Sequence, residues 1–298
     1  MSLVLSPEEF RVLDGLRFAP RKSFSGRVRG ERLTKKKGIS IEFADYREYS
    51  EGDDLRHLDW NVLARLQTPM MKTYQDEEDL AVYVVVDLSP SMDFGEPSKL
   101  TVGRQLACMF GYIGLCNQDA IYPATLPMVA NPIKGISGVG AGLRGRSSYP
   151  ALARWTTTLQ PARGNSLAMS LREFATARLR QGLVILITDS LDPDAPSLVR
   201  SLGGRGHELC MVQVLTPEEI DPDVEGDLRL LDAETDAVVE ITANSLALEG
   251  YKKNLNAHLA AINEACRRIG GRYTLVRTDE SLVNLFKERL RREGWFAT

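Results

Sequence analysis

The feature that most constrains this chain is a rhythm that begins at Leu80. From there on, apolar runs of strand length alternate with stretches of helical period. The runs are AVYVVVD (81–87), AIYPATL (120–126), LVILITD (183–189), ELCMVQVL (208–215) and RYTLVRT (272–278). Between them lie candidate helices at 99–116, 149–159, 166–180, 195–202 and 246–269, and an amphipathic segment at 282–291 closes the chain. Such alternation marks strand-helix units around a mainly parallel sheet. Runs that are apolar at nearly every position predict strands covered on both faces. The expected fold class is therefore α/β, a doubly wound and mainly parallel sheet over residues 80–298, preceded by an N-terminal extension of short elements over 1–79. The alternating stretch 226–242 predicts an antiparallel hairpin at a sheet edge, turning at Ala233 to Thr235.

The first 79 residues read differently. Ser6-Pro7-Glu8-Glu9 is a helix start, with a capping hydroxyl, a proline at the first helical position and acids at the positive end, and the helix is expected to run to about residue 17. Residues 11–37 then hold ten Lys/Arg against Asp14 and Glu31. Residues 20–38 read as a mobile basic arm, for which docking on an acidic surface is preferred over nucleic acid because stacking aromatics are missing beyond Phe24. In REYSEGDDLRHLDWNVLAR (47–65), charges of alternating sign surround Trp60 and Leu63. That pattern predicts a half-buried ion-pair lattice joining the N-terminal part to the α/β domain, with a docking surface as the alternative.

Composition enters only to exclude. With 43% hydrophobic and 26% charged residues the chain belongs with ordinary globular proteins. No window approaches the 18 or so apolar residues that a membrane helix needs, and MSLVLSPEEF lacks a basic leader, so a cytoplasmic location is expected. Cys108, Cys116, Cys210 and Cys266 share no metal-ligand spacing and read as reduced thiols.

The functional question is posed by VVVDLSPSMDFGE (84–96), where a β-branched run stops at Asp87 and two hydroxyls follow at alternate positions, Ser89 and Ser91. In an open parallel sheet, ligands bind at the carboxyl ends of strands. Asp189 ends a second apolar run, so the two carboxylates are expected to meet there, as a surface pair. Two carboxylates left together repel, which raises one pKa or requires a cation. Asp87, Asp189, Ser89 and Ser91 together make a shell of hard oxygens suited to Mg²⁺, with Mn²⁺ or Ca²⁺ as substitutes. The bland alternative is a turn and helix cap. A phosphoryl-aspartate enzyme would want a second carboxylate two residues beyond Asp87, where Ser89 stands. The GxGxxG match at Gly140 to Gly145 sits mid-domain rather than after the first strand, so it reads as a mobile loop at the rim of the site. His57, His207 and His258 share no spacing and make poor catalytic candidates.

The D-x-S-x-S of Asp87, Ser89 and Ser91 resembles the metal-ion-dependent adhesion site of von Willebrand factor type A domains. RGNSLAMSL (163–171) resembles that superfamily's second ligand loop, and LVILITDSLD its third, ending in Asp189. The 47–65 block resembles the hallmark of one bacterial branch, domain-of-unknown-function family 58 (DUF58), and the resemblance spans roughly residues 7–290. The second loop usually supplies threonine; here the matching position is Asn165, followed by Ser166. The resemblance implies a metal site of Asp87, Ser89, Ser91, Asn165 or Ser166, and Asp189. It further implies a non-enzymatic adaptor that works with a MoxR-type AAA+ ATPase and a client protein. A metal-dependent hydrolase or phosphatase at the same site, and binding of nucleic acid or an anionic membrane through the basic arm, are the competing expectations.

Overall fold

The computed structural model describes residues 5–22, 42–50, 53–75, 79–128, 139–164, 167–177, 179–203, 206–235 and 237–297. It divides into two compact units, Met1–Phe24 with Leu80–Thr298, and Ser25–Asp79. Helix α1 (Pro7–Leu13) starts where the sequence predicts. The Ser6 hydroxyl accepts from the Glu9 amide at 3.2 Å, while the Glu9 carboxylate accepts from the Ser6 amide at 2.6 Å. The helix ends four residues early because Asp14 is held by the Tyr112 hydroxyl at 2.7 Å and the chain turns to bury Leu16 and Phe18. α1 thus belongs to the larger unit rather than to a separate 1–79 extension. The start of the expected arm is also anchored. The amides of Arg21 and Lys22 donate to Glu208 Oε2 at 2.6 and 2.9 Å, and Lys22 Nζ donates to the His207 carbonyl at 2.7 Å. The rest of the arm lies in residues 23–41, outside the described residues.

In the smaller unit, strand β1 (Glu42–Glu48) pairs antiparallel with β2 (Met70–Gln75), and helix α2 (Trp60–Leu66) lies between them in sequence. Asp59 caps α2 through the amides of Asn61 and Val62 at 2.9 and 3.2 Å, pairs with Lys72 at 3.0 Å and accepts from the Tyr46 hydroxyl at 2.9 Å. The Lys72 ammonium is the main reason that its carboxyl titrates at about 2. The expected half-buried lattice is otherwise a surface. Arg47–Asp53 and Arg56–Asp54 are exposed forks, and Trp60 is 62% exposed. The cause is the turn after Leu58, where the Asp59 amide donates to the Met70 carbonyl and α2 presents Trp60 outward.

The larger unit is built on five parallel strands, β3 (Ala81–Asp87), β4 (Ala120–Leu126), β5 (Leu183–Thr188), β6 (Glu208–Leu215) and, last in the chain, β9 (Arg272–Arg277), in the order β4-β3-β5-β6-β9. All seven residues of β3 are buried, and the six ahead of Asp87 serve two cores in alternation. Val82, Val84 and Val86 face one core with Leu106 and Phe110 of helix α3 (Lys99–Cys116), Trp155 of α4 (Tyr149–Thr158) and Phe286 of the C-terminal helical segments. Ala81, Tyr83 and Val85 face the other, with Phe174 of α5 (Leu167–Thr176), Leu198 of α6 (Ala195–Leu202) and, farther along the chain, Ile262. Each fully buried valine contributes roughly 1.5–3 kcal/mol, which is why the apolar runs dictate a sheet sandwiched between helices.

Two details depart from the sequence reading. After the short helix α7 (Pro217–Ile220), strands β7 (Gly226–Leu231) and β8 (Val238–Ala243) form a two-stranded ribbon of their own, not an edge of the main sheet, ahead of α8 (Ser245–Arg268). The described part of the glycine-rich stretch, from residue 139, is anchored on the sheet. Val139 and Leu143 bridge antiparallel to Ala124 and Ile121 and cover the outer edge of β4. The four cysteines are free thiols, three of them buried. Among the described residues no helix is long and apolar enough to cross a membrane.

Candidate functional site

The winding of the sheet reverses at β3. The chain leaves it for β4 on one side and later returns to β5 on the other. Loops that depart in opposite directions open a crevice at the carboxyl ends of the two strands. Here that crevice is a cavity of about 580 Å³, lined by Asp87, Ser89, Ser91 and Asp189 together with Asp192 and Glu234. Four of the six residues singled out from the sequence therefore share one cavity. The other two, Asn165 and Ser166, lie outside the described residues, although the flanking Gly164 and Leu167 line the same space.

Asp87 is the last residue of β3 and only 2% exposed. Its Oδ1 accepts from the Ser89 amide at 2.9 Å and its Oδ2 from the Thr188 hydroxyl at 2.6 Å. Neither donor is charged. Burial, and then the neighbouring Asp189, push its carboxyl up to about 6. The Ser89 and Ser91 hydroxyls are hydrogen-bonded to each other at 3.0 Å. The turn-and-cap reading is thus correct as far as the backbone goes, since Asp87 holds the Ser89 amide and Ser89 opens a short helical turn at Pro90–Asp93. Both serines of that turn line the cavity.

Asp189, just past the end of β5, is placed differently. It is 4% exposed, so the expected surface pair is in fact a buried one. Its Oδ2 meets the Lys99 ammonium at 2.7 Å, and Lys99, 1% exposed, also pairs with Glu219 of α7. The Asp189 carbonyl accepts from Gln213 Nε2 at 2.6 Å. Ser190 follows in the left-handed region at φ 46°, its amide donating to Thr188 Oγ1 at 3.1 Å and its carbonyl lying 2.9 Å from His258 Nε2.

Lys99, Thr188 and Glu219 escaped the sequence reading. A signal existed for the first two. A lysine at the first position of a helix opposes the helix dipole and needs a compensating anion. Thr188 is the only hydroxyl in the run LVILIT, at the position where a strand leaves the core.

The sequence profile of the family described as "Protein of unknown function DUF58" matches residues 45–261. The chain belongs to the DUF58 family. An uncharacterized protein of Mycobacterium tuberculosis and one of Mycobacterium bovis are each 28% identical to this DUF58 chain over 284 residues, covering 92% of it and 86% of the relative. An uncharacterized protein of Mycobacterium avium is 30% identical over 158 residues, 49% of this chain. Among solved structures, BatB from Bacteroides thetaiotaomicron superposes at a TM-score of 0.41 with 17% identity, covering 72% of this chain and 96% of that one. An aerotolerance-related membrane protein from Bacteroides fragilis superposes at 0.43 with 17% identity, covering 72% and 98%.

Proposed function

We propose that this DUF58 protein is a non-enzymatic binding module in which a divalent cation, Mg²⁺ by preference, is held at the carboxyl end of β3 and captures an acidic side chain of a partner protein. The observation that carries the reading is the convergence of Asp87, Ser89 and Ser91 on one cavity, with Asp87 buried and, among the described residues, accepting from uncharged donors only. Each carboxylate oxygen has a further lone pair, and hard oxygens with few charges suit a small dication. Such an ion would offset the burial and repulsion that raise the Asp87 pKa. Lys99 takes the charge of Asp189, which leaves that residue its other oxygen as a flanking acceptor. The reading follows the resemblance of Asp87, Ser89 and Ser91 to the adhesion-site pattern of von Willebrand factor type A domains, which would make Asn165 or Ser166 the second-loop ligand.

An adaptor role is favoured over a hydrolase on the family resemblance; among the described residues that line the cavity, the only candidates for a general base are carboxylates. A MoxR-type AAA+ ATPase as partner, a client protein and a cytoplasmic location follow from the family resemblance alone. Affinity capture with the wild-type chain in Mg²⁺ tests the reading. Partner recovery is expected to disappear in excess chelator and with Asp87→Ala, whereas recovery undiminished in both contradicts it.

A further inference from the structure

The ribbon of β7 and β8 reaches the cavity with an acid of its own. At its tip, Asp232 Oδ1 accepts from the amides of Glu234 and Thr235 at 2.7 and 2.9 Å and so fixes the turn. Glu234 Oε1 then accepts from the Ser91 amide at 3.2 Å, across 143 positions of sequence. Asp232, Glu234 and Thr235 line the same cavity as Asp87, Ser89 and Ser91. A bond to one backbone amide engages one of the two carboxylate oxygens. Glu234 thus brings a further carboxylate to the cavity that Asp87 lines and fixes it to the backbone of Ser91, where a cation held by Asp87, Ser89 and Ser91 would attract it.

We infer that Glu234 is a resident ligand for the outward position of the bound cation, and that an acidic partner side chain docks by displacing the ribbon tip. The inference rests on the cation reading given above. The ribbon is suited to such exchange. Two isolated strands are marginally stable, and Leu230, Leu231, Val238 and Val239 are exposed along it, so few packing contacts resist its withdrawal. The tip would act as a competitor in cis that keeps the ion from weak or wrong anions.

Mn²⁺ serves as the probe, because the water-proton relaxivity of the bound ion reports how many water ligands it carries. In the full chain, Glu234→Ala is expected to raise that relaxivity by the contribution of one water and to weaken Mn²⁺ binding. Acetate, standing for the partner carboxylate, should then quench the relaxivity at about tenfold lower concentration than in wild type, the factor expected if the tip occupies the site about nine-tenths of the time. Glu234→Gln should behave like Glu234→Ala. Wild-type relaxivity, affinity and acetate response in both variants would overturn the inference while leaving the cation site standing. Absence of Mn²⁺ binding in wild type, or equal binding by Asp87→Asn, would overturn the cation reading and this inference with it.

Discussion

The two strand ends that meet at the cavity carry the same side chain and treat it in opposite ways. Asp189 is matched by a buried ammonium, and the three-way cluster with Lys99 and Glu219 ties α3, β5 and α7 together. Asp87 sits one strand away, equally buried, and among the described residues its carboxylate accepts from the Ser89 amide and the Thr188 hydroxyl and is paired with no cation. A buried carboxylate with a fixed counter-charge is part of the scaffold. One without it fits the ligand-holding role proposed for Asp87, at a cost in stability that the fold carries.

That contrast is broken most directly at Lys99. Lys99→Met removes one partner of a buried ion cluster and leaves two uncompensated acids, which should destabilise the protein by about 3–5 kcal/mol in a denaturant titration. A neutral Lys99→Met would mean that Asp189 and Glu219 do not depend on it.

Asp87→Asn should have the opposite sign. The folded-state pKa of about 6 lies above the ordinary 3.8, so the ionised form is disfavoured in the folded protein. Without metal, wild type should therefore gain stability as pH falls from about 6 to about 4, and carry the full deficit above 6. The difference between about 6 and 3.8 corresponds to about 3 kcal/mol. Melting curves in chelator should show Asp87→Asn more stable than wild type at pH 7.5, with the advantage shrinking at pH 4.5. A variant less stable at both pH values would place Asp87 with the scaffold.

A smaller effect sharpens the comparison at the β5 end. Ser190→Gly relieves the left-handed backbone at φ 46°, worth about 1–2 kcal/mol, against about 0.5–1 kcal/mol of lost chain entropy. A net gain of about 0.5–1 kcal/mol in thermal unfolding is expected, with cation affinity unchanged. A loss of affinity instead would show that the Ser190 turn positions the site.

How far the sequence reveals this arrangement depends on the range of the interaction. The apolar runs of β3, β5 and β6 announce a sheet buried on both faces, and local signals mark the α1 cap and the Asp87-Ser89-Ser91 turn. Asp189 is legible because strand ends of a parallel sheet share one side. Lys99, Thr188 and Glu234 meet their partners across 90, 101 and 143 positions, where no local pattern applies. The alternation of 226–242 is common to an edge strand and a free ribbon, so periodicity could not separate them. In the 47–65 block, alternating charge describes exposed forks as well as a buried lattice, and only the outward Trp60 distinguishes them.

The most direct test is a calorimetric titration of Mg²⁺ into the purified chain and into Asp87→Asn at pH 7.5. The account predicts one saturable site per wild-type chain, absent in the variant and weakening in wild type as pH falls through about 6. Equal binding by both chains, or no saturable binding by wild type up to millimolar Mg²⁺, would contradict it.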